Sequence, residues 1–115
     1  MNHHNSVRKF NRPASQRRAL LNTLAVSLVM KEKIRTTTPK AKELRSFAER
    51  LVTYAKKGTL ASHRDLIGYV GKVAAGKLVK TIGPRYKDRK GGYLRITKVG
   101  IRKNDASPRS QIEFV

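Results

Sequence analysis

The side chains of this sequence that could do chemistry are mostly lysines and arginines, and they occur in groups. The stretch GPRYKDRKGGYLRITKVGIRK (83–103) carries eight cations and a single acid, Asp88. These cations are Arg85, Lys87, Arg89, Lys90, Arg95, Lys98, Arg102 and Lys103. A second group has no acid before Glu32 and consists of Arg8, Lys9, Arg12, Arg17 and Arg18. Guanidinium and ammonium groups are strong donors to phosphate, so we expect both groups to contact nucleic acid.

A third basic group lies along a predicted helix that also contains Glu43 and Glu49. Mixed charge of this kind is typical of a solvated helix face. For any single cation of this helix, solvation and RNA contact both remain open.

The overall charge limits the classes of partner. The 115 residues include 27 Lys or Arg and seven Asp or Glu, which gives a net charge of +20 and a pI of about 11.2. A compact chain with that charge repels itself unless a polyanion compensates, and the candidates are nucleic acid and an anionic membrane. There is no cysteine, no apolar run of membrane-spanning length and no secretory signal. We therefore expect a soluble, cytoplasmic protein. We also expect no membrane partner, because the predicted helices carry ordinary core stripes.

Catalysis and metal binding have weak candidates. His63 lies beside Ser62 and Asp65, but a catalytic triad is assembled from residues distant in sequence. No close carboxylate pair and no nucleotide-binding glycine motif is present. Met1-Asn2-His3 has the groups to wrap Cu(II) or Ni(II) in a square plane, although a polar arm is the simpler interpretation. We predict no enzyme activity, no small-molecule substrate and no metal or other cofactor.

Periodicity predicts the elements that must position the cations. Residues 1–14 have no periodicity and are predicted to be an extended basic arm, followed by a single domain over 15–115. Ser15 is the predicted N-cap of a first helix, whose apolar stripe repeats every four residues at Leu20, Leu24 and Leu28. Thr38-Pro39 is typical of a second helix start, with Thr38 as the N-cap, and Gly58 of its end.

The remaining elements are two short predicted helices within 59–82 and a small sheet. Gly83-Pro84 is predicted to end the helical region. YLRITKV (93–99) and SQIEFV (110–115) alternate apolar and polar residues, which predicts an antiparallel hairpin, and KIRTTT (33–38) could add a third strand. The resulting fold class is α+β, with about three to four helices packed on a short, mainly antiparallel three-stranded sheet.

The basic pattern favours RNA over DNA. No helix-turn-helix, zinc finger or basic zipper is evident, and a glycine-containing basic loop suits an irregular backbone. For Tyr86 and Tyr93, packing at the edge of the core and stacking on bases both remain open. We predict shape-and-phosphate recognition of folded RNA, and a nucleoid-type DNA-binding protein is the alternative.

Four segments together resemble one protein family. They are FNRPASQRRALLNTLAVSL, IRTTTPKAKELRSFAERLVTYAKKG, GPRYKDRKGGYLRITKVGIRKNDASP and IEFV, and they contain the patterns TTxxKAKELR and GPRxxDRxGGYxRI. In order and spacing they are similar to the L17 family of bacterial large-subunit ribosomal proteins.

The resemblance implies a small α/β structural protein of the cytoplasmic large ribosomal subunit, without catalytic activity. It implies binding to ribosomal RNA near the exit side of the peptide tunnel, beside neighbouring ribosomal proteins, in support of assembly and translation. The Gly91-Gly92 pair would let the chain turn closely beside an RNA backbone. Matching positions carried over as RNA contacts are Arg8, Lys9, Arg12, Arg17, Arg18, Arg85, Arg89, Arg95 and Arg102.

Overall fold

The computed structural model describes residues 13–115 as an α+β fold, as predicted. Three helices provide most of the mass: α1 (Ala14–Lys31), α2 (Thr38–Lys57) and α3 (Leu60–Lys77). A π-helical turn (Leu78–Ile82) and a short helical turn, α4 (Gly83–Arg85), follow α3. The strands are β1 (Lys33–Thr37), β2 (Leu94–Ile101) and β3 (Pro108–Phe114).

The sheet is antiparallel, and its last strand lies at the centre in the order β1-β3-β2. Ile34, Ile112 and Ile96 form one row across the three strands, and Leu94 and Phe114 form the next pair on the same face. Side chains two residues apart share a face of a strand, so this face is apolar and covers the helices. The predicted third strand is therefore confirmed, and it pairs with the C-terminal strand.

Helix α2 lies between the sheet and the other two helices. Its buried residues recur at helical spacing, and Leu44, Ala48, Leu51 and Val52 belong to the core. The helix contacts all three strands, and α1 and α3 pack against it. Such a stripe recurring every three to four residues is what a helix needs to bury one face.

A hydroxyl pair joins the start of α2 to the sheet. The oxygens of Thr38 and Ser110 are 2.8 Å apart and both side chains are buried. One hydroxyl donates to the other, so neither oxygen is buried without a hydrogen-bond partner, which would be costly.

The structure corrects two predicted helix starts. Helix α1 begins at Ala14 after Pro13, without a side-chain cap, so Ser15 lies inside its first turn and is not the N-cap. Helix α2 begins at Thr38, and Thr37 is its N-cap. Both differences are small. Proline is tolerated before or within a first helical turn, because the backbone N–H groups there have no intrahelical partner.

The region 59–82 is helical, but its end was predicted wrongly. Helix α3 kinks at Gly71, where φ is 84°, so two helical segments are present as expected. Gly83 and Pro84 do not end the helical region, because the chain continues through the π-helical turn into α4. A proline in the first turn of α4 removes no needed hydrogen bond.

Residues 1–12 lie outside the described part of the chain. The predicted arm, the cations Arg8, Lys9 and Arg12, and the Met1-Asn2-His3 group fall within them. The division into an arm and a domain therefore stays a prediction. Within residues 13–115, none of the helices combines the length and apolar character needed to cross a membrane.

Candidate nucleic-acid interface

Two tyrosines fix the basic loop that follows α4 to the core. Tyr86 and Tyr93 are 4% and 3% exposed, and their ring centroids are 5.3 Å apart. The Tyr86 hydroxyl donates to the backbone oxygen of Val115 at 2.5 Å, and the Val115 N–H donates to Tyr93 O at 3.0 Å. Both tyrosines therefore pack in the core. Their burial excludes base stacking, the other alternative for these rings.

Lys56 holds the loop to the end of α2. Its Nζ donates to Tyr93 Oη at 2.8 Å and to the backbone oxygen of Arg89. Tyr93 Oη also donates to that oxygen at 3.1 Å, and the Tyr93 N–H donates to Glu49 Oε1 at 3.1 Å. Hydrogen bonds that involve a charged group are about twice as strong as neutral ones, so Lys56 and Glu49 use their charges to position the loop.

Gly91 and Gly92 form the exposed turn from this loop into β2. Gly92 has a φ of 64°, in the left-handed region that side chains with a Cβ rarely adopt. Arg89 Nε donates to Gly91 O at 3.1 Å, which bends the arginine back over the turn. Of the two glycines, Gly92 is the one whose backbone conformation would strain a residue with a Cβ. At Gly91 a Cβ would have no atom within 4 Å.

The loop presents its cations to solvent. Lys87, Arg89 and Lys90 are exposed. Neither Lys87 nor Lys90 has an acidic partner among residues 13–115. A fixed backbone with free ammonium groups is a preorganised surface for an anion.

Arg85 differs, because it is engaged within the fold. Its guanidinium hydrogen-bonds Glu32 at the end of α1, and Lys77 Nζ lies 3.4 Å from the same carboxylate. The Arg85 hydrogen bond, followed by the nearby positive charges, lowers the pKa of Glu32, and the same bond raises the pKa of Arg85. Arg85 therefore links α4 to α1 and is only partly available to an outside anion.

Arg95 and Arg102 also have carboxylate partners. Arg95 lies 3.3 Å from Glu113 on the neighbouring strand, and Arg102 Nε donates to Asp105 Oδ1 at 3.0 Å within the hairpin turn. The backbone N–H of Ser107 lowers the pKa of Asp105. Exposed ion pairs contribute little stability, so both arginines could exchange their partner for a phosphate. Lys103, beside Arg102, is exposed.

The sheet places further cations that the sequence reasoning did not select. Lys33 and Arg95 flank Glu113 on the outer face, and in the next row Arg35 Nε is 3.4 Å from Gln111 Oε1. Arg109 follows on the same face, opposite Thr37. The alternation of Lys33, Arg35 and Thr37 with Ile34 and Thr36 was the available signal. It indicates a polar outer face once the strand is known to pair with β3.

Arg17 and Arg18 lie near the N-terminal end of α1. Both are among the first five residues of α1, whereas Arg85 contacts Glu32 just past its other end. The 18 residues of this helix span about 27 Å. Arg17 Nε is buried and has no hydrogen-bond partner within the described part of the chain. Among the described residues, Arg17 and Arg18 therefore lie at the opposite end of α1 from the Arg85–Glu32 contact.

The weak catalytic candidate gains no support from the geometry. His63 is half-buried on α3, and its backbone N–H donates to Thr59 O. Ser62 Oγ is 2.9 Å from Thr59 Oγ1, so this serine takes part in the N-terminal cap of α3. No group of three His, Asp or Glu side chains suited to a metal ion occurs among residues 13–115.

Comparison with known proteins gives a consistent result along the chain. The family model for ribosomal protein L17 matches residues 20–115. The large ribosomal subunit protein bL17 of Orientia tsutsugamushi (strain Boryong) is 50% identical over 116 aligned positions, which cover all of this chain and 80% of that protein. The proteins of the same name from Wolinella succinogenes and Fusobacterium nucleatum subsp. nucleatum are 46% and 44% identical, with both chains covered completely.

Proposed function

Because this chain belongs to the ribosomal protein L17 family, we propose that its exposed lysines and arginines bind ribosomal RNA phosphates in the large ribosomal subunit. The protein is a structural, non-enzymatic constituent of the ribosome in the bacterial cytoplasm. Its work is to hold RNA segments in one arrangement and so to support subunit assembly and translation. Phosphate contacts of this kind position a protein and carry no base sequence information.

One observation carries the proposal: the loop at Lys87–Lys90 is rigidly anchored yet its ammonium groups are unpaired among the described residues. Self-repulsion on such a surface is relieved when RNA phosphates replace condensed counterions. The buried tyrosine pair and Lys56 maintain the loop conformation before RNA arrives. Binding there therefore costs little ordering entropy.

The separation of the basic groups indicates more than one RNA segment. The first turn of α1 with Arg17 and Arg18, the loop after α4, and the outer sheet face with Lys33, Arg35 and Arg109 lie on different elements. In sequence, the arm cations Arg8, Lys9 and Arg12 precede the first of these groups, and Gly91, Gly92, Arg102 and Lys103 follow the second. Arg95 lies with the third group on the outer sheet face. Contacts at several separated groups let a small protein fix the relative positions of RNA helices.

The direct test measures affinity for large-subunit ribosomal RNA across a series of salt concentrations. We expect the double variant Lys87→Gln/Lys90→Gln to bind more weakly and to reduce the slope of log K against log salt by about 1.5, since each phosphate contact contributes roughly 0.7–0.9. Lys72→Gln, which removes an exposed charge of α3 that belongs to none of the basic groups, is the control. An unchanged slope in the double variant would remove the loop from the interface.

A second test places the protein in the cell. After sedimentation of a lysate at about 0.1 M and about 1 M salt, mass spectrometry should find this chain with the large subunit at both concentrations, because buried contacts are screened less than exposed ones. Duplex DNA added at fixed salt should compete poorly with ribosomal RNA. Recovery with chromosomal material alone would favour the DNA-binding alternative instead.

A further inference from the structure

An aromatic cleft opens where the three long helices meet. Its volume is about 260 Å³, and it is separate from the basic loop. Leu21 of α1 and Leu51 of α2 contribute apolar surface, and the aromatic walls come from Phe47 and Tyr54 of α2 and Tyr69 of α3. Concave apolar sites with a few placed polar groups are where proteins hold small flat molecules.

The aromatic rings of the cleft are accessible to solvent. Phe47 and Tyr69 pack edge to face, with ring centroids 5.7 Å apart and planes at 83°. Tyr69 is nevertheless 43% exposed, and Phe47 and Tyr54 are half-buried. This differs from Tyr86 and Tyr93, which the core covers. The rings of the cleft are thus available to an incoming aromatic group, and a nucleobase stacks well on such rings.

The polar groups of the cleft are cationic or neutral. Arg18 and Arg50 line it, together with the amide of Asn22, and no carboxylate of the described residues does so. The Arg50 guanidinium lies 6.0 Å from the Phe47 ring centroid, and Lys57 Nζ lies 5.4 Å from the centroid of Tyr54. Positive charge beside aromatic rings matches a flat ring that is attached to an anionic group.

We propose that this cleft binds one unstacked nucleobase of the ribosomal RNA, with the adjoining phosphates on Arg18 and Arg50. The inference rests on the proposed RNA-binding function and adds a base contact to its phosphate contacts. A nucleotide is the occupant that charge complementarity favours, because it combines a flat ring with an anion. The Asn22 amide, with two donors and one acceptor, can bond to a base edge.

The test compares three variants in binding to large-subunit ribosomal RNA. Tyr69→Leu keeps an apolar side chain but removes the aromatic face, and we expect roughly tenfold weaker binding, from measured stacking energies. Its salt slope should not change, because stacking releases no counterions. Arg50→Gln should weaken binding and lower the slope by about 0.7–0.9. Val73→Ala is the control, since this side chain of α3 is 74% exposed and does not line the cleft.

Ultraviolet crosslinking of the native chain to the same RNA gives a direct readout. A nucleotide adduct on Phe47, Tyr54 or Tyr69, located by mass spectrometry, would support the proposal. If Tyr69→Leu binds like Val73→Ala while Lys87→Gln/Lys90→Gln still weakens binding, the base contact is wrong and the phosphate contacts stand. Lower thermal stability in Tyr69→Leu at unchanged affinity would mean that Tyr69 serves only to pack against Phe47, and would also overturn the proposal. If the native chain binds large-subunit ribosomal RNA no more tightly than transfer RNA, both proposals are wrong.

Discussion

Replacing Gly83 by alanine tests how closely α4 must approach α2. A Cβ built at this position would lie 3.1 Å from the backbone oxygens of Ala55 and Leu78. Favourable separations between non-bonded heavy atoms are about 3.5–4.0 Å, and backbone oxygens cannot rotate away as a flexible side chain can. The added methyl group therefore forces α4 away from α2, which would disturb the contact of Arg85 with Glu32.

The expected size follows from two opposing effects. Gly83 has helical dihedral angles, φ −54° and ψ −54°, so alanine alone would gain about 0.5–1 kcal/mol. Overpacking of a closed site costs about 1–3 kcal/mol. We expect a net destabilisation of about 1 kcal/mol, which corresponds to a melting temperature lower by about 4 °C in a chain of this size.

Urea unfolding followed by circular dichroism measures this difference. Gly68→Ala is the matched control, because Gly68 is exposed on α3 and no atom lies within 4 Å of the position that its added methyl group would occupy. That variant should be more stable than the native chain by about 0.5–1 kcal/mol. If Gly83→Ala is stabilised as much as Gly68→Ala, the close approach of the two backbones does not limit this position, and the reasoning fails.

Three further predictions concern single polar contacts. Lys56→Met should accelerate hydrogen exchange of the loop amides at 86–92, because a charged hydrogen bond worth about 1.5–3 kcal/mol is lost; unchanged exchange would show that the loop needs no clamp. Ser110→Ala should lower the free energy of unfolding by about 1–3 kcal/mol, since the buried Thr38 hydroxyl loses its partner, and a neutral result in urea unfolding would contradict that role. Glu32 has a lowered pKa, so its contribution is present above its unfolded pKa near 4.5 and is lost as the pH falls through the lower folded value. Because this carboxylate is partly exposed, Glu32→Gln should lower stability at pH 7 by only about 1 kcal/mol or less, and the difference from the native chain should vanish at the acidic end of a pH series of unfolding curves.

Sequence patterns predicted the elements where the periodicity is local and strong. The apolar stripe of α2 repeats within one or two helical turns, and Ile112 and Phe114 of β3 are two residues apart. Both patterns are visible in the local sequence, so they predict the elements without knowledge of the tertiary fold. The limits of the elements were less certain. The helical region continues through Gly83-Pro84, because the π-helical turn runs directly into α4 and both residues are tolerated at the start of a helix.

For the candidate interface too, the sequence determined some features and the tertiary structure decided others. The sequence by itself determined that this protein carries a large excess of positive charge, that its cations are grouped, and that two motifs place it in a ribosomal family. Only the tertiary structure decided which cations are already paired, as Arg85 is with a glutamate 53 residues away, and which tyrosines are buried. Tyr86 and Tyr93 pack in the core, whereas Tyr54 and Tyr69 line a cleft. The physical reason is that ion pairing and burial depend on contacts between distant segments, and a local pattern of residue types does not specify which distant segments meet.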